Sequence, residues 1–429
     1  MAHKRGLSQF ATLAVIWSLA CVNAGVRADD EPALVEQVFD AKALAASERE
    51  RESLAECIAS IVAPSSWDAA GGAATHQWRG GKLAISNTAE ACHQVGKLLD
   101  VLATLPAAGA KDAIKAPKAA RLDVSAFNND DESFEIVVYP VLDILSARGR
   151  IDPRAEGAEF DTDALIEVVT SVVAPTTWDA VGGNGGIREY EPRGALVVSQ
   201  SKAIHERIES LFAALRKAPT AADVFKKIRG TRTIDAGTDD STGEKLRIAV
   251  YPVPDLVLTV ERDEVADFES LIEVIATGVA PETWDAVGGS GTVREVATHN
   301  VLVVSQTKEA HGGVEKLLTA LRKIPPYTEA AARAEPQPPV VVGTQKNGDA
   351  ELQVVVYDVG RRILTRDGIA DFEGLFAAIW NIDEATWIVN GGQGTITEFV
   401  HRGALVVVNT KEVQAKVRKV IDEYKPTVD

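Results

Sequence analysis

The sequence predicts an α+β fold, four small copies of one unit in a row, and three observations carry that reading. One block recurs: Val-Ala-Pro-Thr-Thr-Trp-Asp-Ala-Val-Gly-Gly from Val173 to Gly183 and Val-Ala-Pro-Glu-Thr-Trp-Asp-Ala-Val-Gly-Gly from Val279 to Gly289. A degraded copy runs from Val62 to Gly72, and a fourth surrounds Trp387 and Gly391-Gly392. The central tryptophans, Trp67, Trp178, Trp284 and Trp387, stand 111, 106 and 103 residues apart, the size of a small domain and too long for a solenoid repeat. Between blocks, the apolar period alternates between that of strands and that of helices.

The third repeat shows the order of elements. Leu246 to Tyr251 starts as an apolar–polar alternation, the pattern of a half-buried strand, and Pro252 and Pro254 close it. A helix follows Asp267-Phe268-Glu269-Ser270, with Leu271, Val274, Ile275 and Val279 on one face. In the second repeat that stripe is Leu165, Val168, Val169, Val172 and Val173. Pro281 stops the helix. After the tryptophan and glycines, Thr292–Val296 and Val301–Ser305 read as a hairpin, matched by Ile187–Tyr190 and Ala195–Ser199. Leu302-Val303-Val304 is apolar enough for a central strand. A second helix starts at a Thr307 cap and carries Ala310, Val314, Leu317, Leu318 and Leu321.

Each repeat is thus βαββα, with both helices on one face of a small sheet. Repeats two to four add an earlier strand. Thr231–Asp235 precedes a turn at Gly237-Thr238-Asp239-Asp240, and Pro339–Gly343 precedes Asn347-Gly348. The first repeat, opening at Val35–Phe39, is the minimal copy. The boundaries expected are 31–105, 119–217, 230–324 and 338–429, joined by exposed linkers at 106–118, 218–229 and 325–337.

Residues 1–28 read as a secretory leader: Lys4 and Arg5, an apolar run from Phe10 to Val22, and a cleavage site at Val26-Arg27-Ala28. The expected location is the periplasm or the exterior. A lipid anchor on Cys21 is the weaker alternative, since Ser18-Leu19-Ala20 is a poor lipidation signal. No later segment is apolar and long enough to span a membrane. The whole chain has a net charge of −17, and loss of Lys4, Arg5 and Arg27 with the leader makes it more negative. That field disfavours nucleic acid and anionic lipid as partners.

Cys57 and Cys92 both lie in the first repeat, and an oxidising compartment permits a disulfide between them. The alternative is two buried thiols, since Val168 and Val274 take the place of Cys57 in later repeats.

The repeated block is the candidate site. Exposed, Trp67, Trp178, Trp284 and Trp387 would be stacking or anchor points; buried, they plug each repeat where its first helix stops, the favoured reading. Gly182-Gly183 and Gly288-Gly289 invite a phosphate-loop reading, but a strand follows instead of a helix and no lysine is present. A tight turn explains them better. Asp68, Asp179 and Asp285 follow three of the tryptophans, where Ile388 stands in the fourth. His205 and His311 hold equivalent places occupied elsewhere by Cys92 and Gln414, so no metal cluster or catalytic residue is assigned. No cofactor motif is present.

The stretch Asn300-Val-Leu-Val-Val-Ser-Gln-Thr-Lys-Glu-Ala-His311, running into Val314–Leu318, resembles the ring-building N-terminal domains of secretins, as does Ala195–Leu211 in the second repeat. Tyr251-Pro252-Val253-Pro254-Asp255 and Tyr357-Asp358-Val359 resemble the short strand that opens such domains. The resemblance implies tandem exported βαββα modules that pack side by side. It does not extend to a pore, because no barrel-forming domain follows the fourth repeat and the Trp-Asp-x-x-Gly-Gly block is foreign to that pattern. The function expected is non-enzymatic: protein–protein interaction or envelope assembly, with self-association open and no partner named. A carbohydrate- or peptidoglycan-binding array is the first alternative, and a hydrolase with an unfamiliar acid pair such as Asp285 and Glu295 the second.

Overall fold

The computed structural model describes residues 33–110, 120–122, 133–146, 161–218, 233–258, 266–347, 350–364 and 372–425. Residues 1–28, expected to be a leader, lie outside these, as do 111–118 of the first linker and nearly all of 218–229. The described residues form an α+β protein with four small antiparallel sheets. The chain divides into two compact units, Met1–Asp143 with Asp152–Ala158 and Asn184–Lys202, and Ile144–Ile151 with Glu159–Gly183 and Ala203–Asp429.

In the first unit, β1 (Leu34–Asp40), β2 (Thr75–Arg79) and β3 (Lys82–Thr88) form a sheet in the order β1-β3-β2. Helix α1 (Glu48–Ile61) starts at a reciprocal cap: Ser47 Oγ accepts from Glu50 N–H, and Glu50 Oε2 accepts from Ser47 N–H at 2.8 Å. Helix α2 (Ala89–Thr104) is capped by Thr88. A second sheet holds β4 (Ala120–Leu122), β5 (Phe134–Pro140), β6 (Gly186–Tyr190) and β7 (Ala195–Ser201), ordered β4-β5-β7-β6. Helix α1 lies against β6 and β7, and α2 against β4. One core therefore runs from Leu83 and Ile85, through Leu54, Ile58 and Leu98, to Ile136, Val138 and Val197 of the second sheet. The helix pair is buried on two sides, by its own sheet and by the next.

The second unit repeats the arrangement. Helices α3 (Thr162–Val172) and α4 (Lys202–Lys217) precede a sheet of β8 (Ile234–Asp239), β9 (Leu246–Pro252), β10 (Thr292–Val296) and β11 (Val301–Gln306), ordered β10-β11-β9-β8. Helix α3 packs on β10 and β11. From α4, Arg207 pairs with Asp239 and Asp240 at the end of β8. Helices α5 (Glu269–Gly278) and α6 (Lys308–Leu321) follow, α6 capped by Thr307 as expected. The last sheet has β12 (Val340–Asn347), β13 (Ala350–Asp358), β14 (Thr395–Phe399) and β15 (Ala404–Asn409), ordered β12-β13-β15-β14. Its back face, Val354, Val356, Val406 and Val408, joins the core of α5 and α6, and its front face, Val355, Leu405 and Val407, covers α7 (Glu373–Trp380) and α8 (Lys411–Glu423).

This two-sided packing explains the extra strand. A fourth strand widens the sheet under the preceding repeat's second helix: β4 under α2, β8 under α4, β12 under α6. It also corrects the half-buried reading of Leu246–Tyr251, where all but Arg247 are buried, because both faces are covered. The hairpin register is the expected one, Thr292 opposite Ser305 and Val296 opposite Val301. The earlier strand of the third repeat lies later than 231–235. Gly237 sits inside β8 as a bulge at φ +112°, not in the turn. The 325–337 stretch is mostly exposed, yet it is tied down: Tyr327 N–H donates to His401 O, Gln337 N–H to an Asp358 carboxylate oxygen, and Ala332 is buried.

Joints between repeats carry a basic residue in the hairpin turn. Arg193 donates to the carbonyls of Leu105 and Ala43 at 3.0 and 2.8 Å. Arg402 does the same to Ile324 O at 2.8 Å and to Asp255 O, beside the Arg322–Asp255 ion pair. Each satisfies a carbonyl just past a helix end that the helix itself leaves without a donor.

Candidate functional site

The repeated block closes the first helix of each repeat. That helix is followed by Val62, Val173 and Val279 as caps, and in the fourth repeat by Asn381 and Ile382; the next residue turns left-handed, Ala63, Ala174, Ala280 and Asp383 having φ of 47°, 48°, 44° and 44°. The reversal aims the indole back at the helix. Each indole N–H then donates to the carbonyl five residues earlier, at 2.7, 2.8, 2.7 and 2.7 Å for Trp67, Trp178, Trp284 and Trp387. All four side chains are buried, at 1–2 % exposure. The tryptophans are core plugs that also satisfy a helix-terminal carbonyl.

The two glycines do different things. Gly288 holds φ +88° at the end of the Asp285–Val287 turn, with open space around it. Gly289 has ordinary φ, but a Cβ there would fall 2.2 Å from the Thr283 carbonyl. Gly182 and Gly183 repeat this, with φ +89° and a Cβ 2.2 Å from the Thr177 carbonyl. The pair serves a tight backbone crossing, not an anion.

Asp68, Asp179 and Asp285 accept from the next residue's N–H (Ala69, Ala180, Ala286), so they hold the turn. Asp285 also pairs with Arg294 at 2.7 Å. Glu295, next along β10, alternates to the opposite face. Burial raises its carboxyl above the usual range, with Glu167, Glu269 and Asp161 adding to the effect. Asp285 and Glu295 therefore do not form an acid pair across one cleft.

His311 is a buried polar fixture. Its Nε2–H donates to Arg247 O at 2.8 Å, which leaves Nδ1 to accept from the Tyr251 hydroxyl at 2.6 Å. Burial lowers its basicity. In the fourth repeat Gln414 takes the same part, accepting from Tyr357 OH at 2.8 Å and donating to Gln353 O. The first repeat has Phe39 on the strand, which offers no hydroxyl, and Cys92 on the helix. His205 is likewise buried.

Cys57 and Cys92 are both free and buried, so the proposed bridge is absent. Cys92 Sγ turns to the carbonyls of Val35 and Asn87. Burial pushes the Cys57 thiol up to about 12, against the opposing pull of the Arg188 charge on β6.

Sequence reasoning missed a second repeated fixture. Asn87, Gln306 and Asn409 end the last strand of their repeats, where their amides donate to Ser66, Thr283 and Thr386 and their carbonyl oxygens accept from Thr88, Thr307 and Thr410 N–H. The signal was an Asn or Gln directly before each capping Thr, with Gln200-Ser201 at the same place in the second repeat, where Ser201 N–H donates to Gln200 Oε1.

Among the described residues no group of three or more His, Cys, Asp or Glu side chains could hold a metal ion, and no helix is long and apolar enough to cross a membrane. An open groove beside α6 is lined by Thr233, Tyr251, Glu315 and Arg322, the last committed to Asp255. The chain matches no protein-family model and no curated protein.

Proposed function

We propose that this chain is an exported, non-catalytic scaffold of stacked repeats that works by protein–protein contact in an envelope assembly. One observation carries the reading. The block spends its tryptophan and glycines on closing each repeat, yet three of its four copies leave apolar side chains in solvent: Val181 and Val287, at one shared position, are 66 % exposed, and in the fourth copy the adjacent Ile388 and Val389 are 62 % and 68 % exposed. Two copies repeat the exposed valine and the fourth sets two exposed apolar side chains side by side, which supports a contact role for this turn. The likeness of Asn300–His311 to secretin N-terminal modules fits, since such modules act by packing against neighbours. Buried indoles take support from a carbohydrate-stacking array, and the separation of Asp285 from Glu295 takes it from a hydrolase.

The test is crosslinking in the native envelope with wild type and with a variant carrying Val181→Ser, Val287→Ser, Ile388→Ser and Val389→Ser. Discrete crosslinked partners that disappear in the folded variant are expected. A wild type that crosslinks to nothing, or a variant that keeps every partner, would overturn the reading.

A further inference from the structure

In three of the four sheets, the strand that opens the repeat is hydrogen-bonded on its outer edge to an additional antiparallel strand: β4 on β5, β8 on β9, β12 on β13. In the first sheet β1 is the edge, and among the described residues no strand lies beside it. Leu34, Val35 and Val38 along this strand are 42, 36 and 39 % exposed. Val356, which holds the place of Val38 in the fourth sheet, is buried under the preceding repeat's helices, a cover that the first sheet does not have among the described residues. Edge strands are ordinarily blunted by lysine, proline or a bulge. The run Leu-Val-Glu-Gln-Val-Phe-Asp has neither residue, its only charges being Glu36 and Asp40, and its register against β3 is unbroken from Leu34 to Asp40.

The outer face of the same sheet carries an ion pair where the later sheets are apolar. Glu36 stands where later sheets have Ile136, Ile248 and Val354, Arg79 where they have Tyr190, Val296 and Phe399, and Glu36 and Arg79 pair at 2.8 Å. That ion pair lies between the exposed Leu34 and Val38 on the same face and opposes burial under a further repeat, as at a terminal repeat. It favours association through the edge.

We infer that β1 pairs antiparallel with β1 of a second copy, across a two-fold axis at Gln37, to give a continuous six-stranded sheet. The charges choose this register. Centring on Val38 would set Glu36 against Asp40, and centring on Glu36 would set that carboxylate against itself. Centring on Gln37 opposes Glu36 to Val38, Val35 to Phe39 and Asp40 to Leu34, with no like charges facing.

The inference rests on the protein–protein reading above, and it fails separately. Sedimentation velocity of the purified chain across a concentration series is expected to show a monomer–dimer equilibrium. Gln37→Lys and Gln37→Glu should each weaken dimerisation at least tenfold, and mixing the two should restore it. If either charge variant misfolds, Gln37→Cys supplies the neutral test. Residues directly opposite in an antiparallel pair have Cα atoms about 4.5–5.5 Å apart, within disulfide reach. Mild oxidation should link Gln37→Cys chains and leave Gln77→Cys, on the far edge strand, monomeric. A monomer at every concentration, or a dimer indifferent to both Gln37 charges, overturns the edge pairing. Envelope crosslinks that survive either outcome leave the broader reading standing.

Discussion

Replacing Trp284 separates two contributions that the structure assigns to one side chain. Trp284→Ala removes a fully buried aromatic, for which about 3–5 kcal/mol is typical. It also strips the Val279 carbonyl of its 2.7 Å donor, and an unsatisfied buried acceptor costs about 1–3 kcal/mol. Trp284→Phe retains most of the apolar volume and loses the same donor, so its cost should be about 1–3 kcal/mol from the carbonyl alone. The expected order is wild type, Phe variant, Ala variant, separated by more than 1 kcal/mol at each step. Urea unfolding followed by far-ultraviolet circular dichroism measures this. Helix α5 is shared by two sheets, so the third and fourth repeats should lose stability together. A Phe variant within 0.5 kcal/mol of wild type would refute the carbonyl argument and reduce the tryptophan to filler.

Three further outcomes are expected. Gly289→Ala should cost about 3 kcal/mol, since its Cβ meets backbone, whereas Gly288→Ala should cost about 1–2 kcal/mol from left-handed strain alone; the same unfolding assay ranks them. Cys57 and Cys92 should resist thiol reagents in the native protein and both react once it is unfolded, and peptide mapping without reductant should show neither bridged. His311 has a folded-state pKa below its unfolded value, so the unfolded chain binds more protons and stability falls as pH drops below about 6.5. His401 contributes with the same sign, through burial that outweighs Asp267. His311→Gln, which copies the fourth repeat's Gln414, should flatten part of that slope; an unchanged slope in pH-dependent thermal melts would count against the neutral, tyrosine-bonded histidine.

The sequence by itself determined what depends on neighbours along the chain. Period, caps and turn chemistry placed the helices and set the hairpin of Thr292–Val296 with Val301–Ser305 in its true register. Recurrence of tryptophan beside two glycines marked a structural closure, because a left-handed turn and a backbone crossing leave little latitude in residue type. The sequence also held the buried amides at Asn87, Gln306 and Asn409, as a residue type repeated before each cap, but local pattern alone gives no target for their hydrogen bonds. Tertiary structure decided what covers each surface. A strand such as Val301-Leu302-Val303-Val304 announces burial on both faces without naming the second cover, and that cover proved to be the preceding repeat's helix pair. The same non-local packing buried Cys57 in the shared core and turned Cys92 toward β1, leaving both thiols free, and it required a fourth strand in every sheet but the first. Burial is a property of two surfaces meeting in space, and one-dimensional order records only the appetite of each.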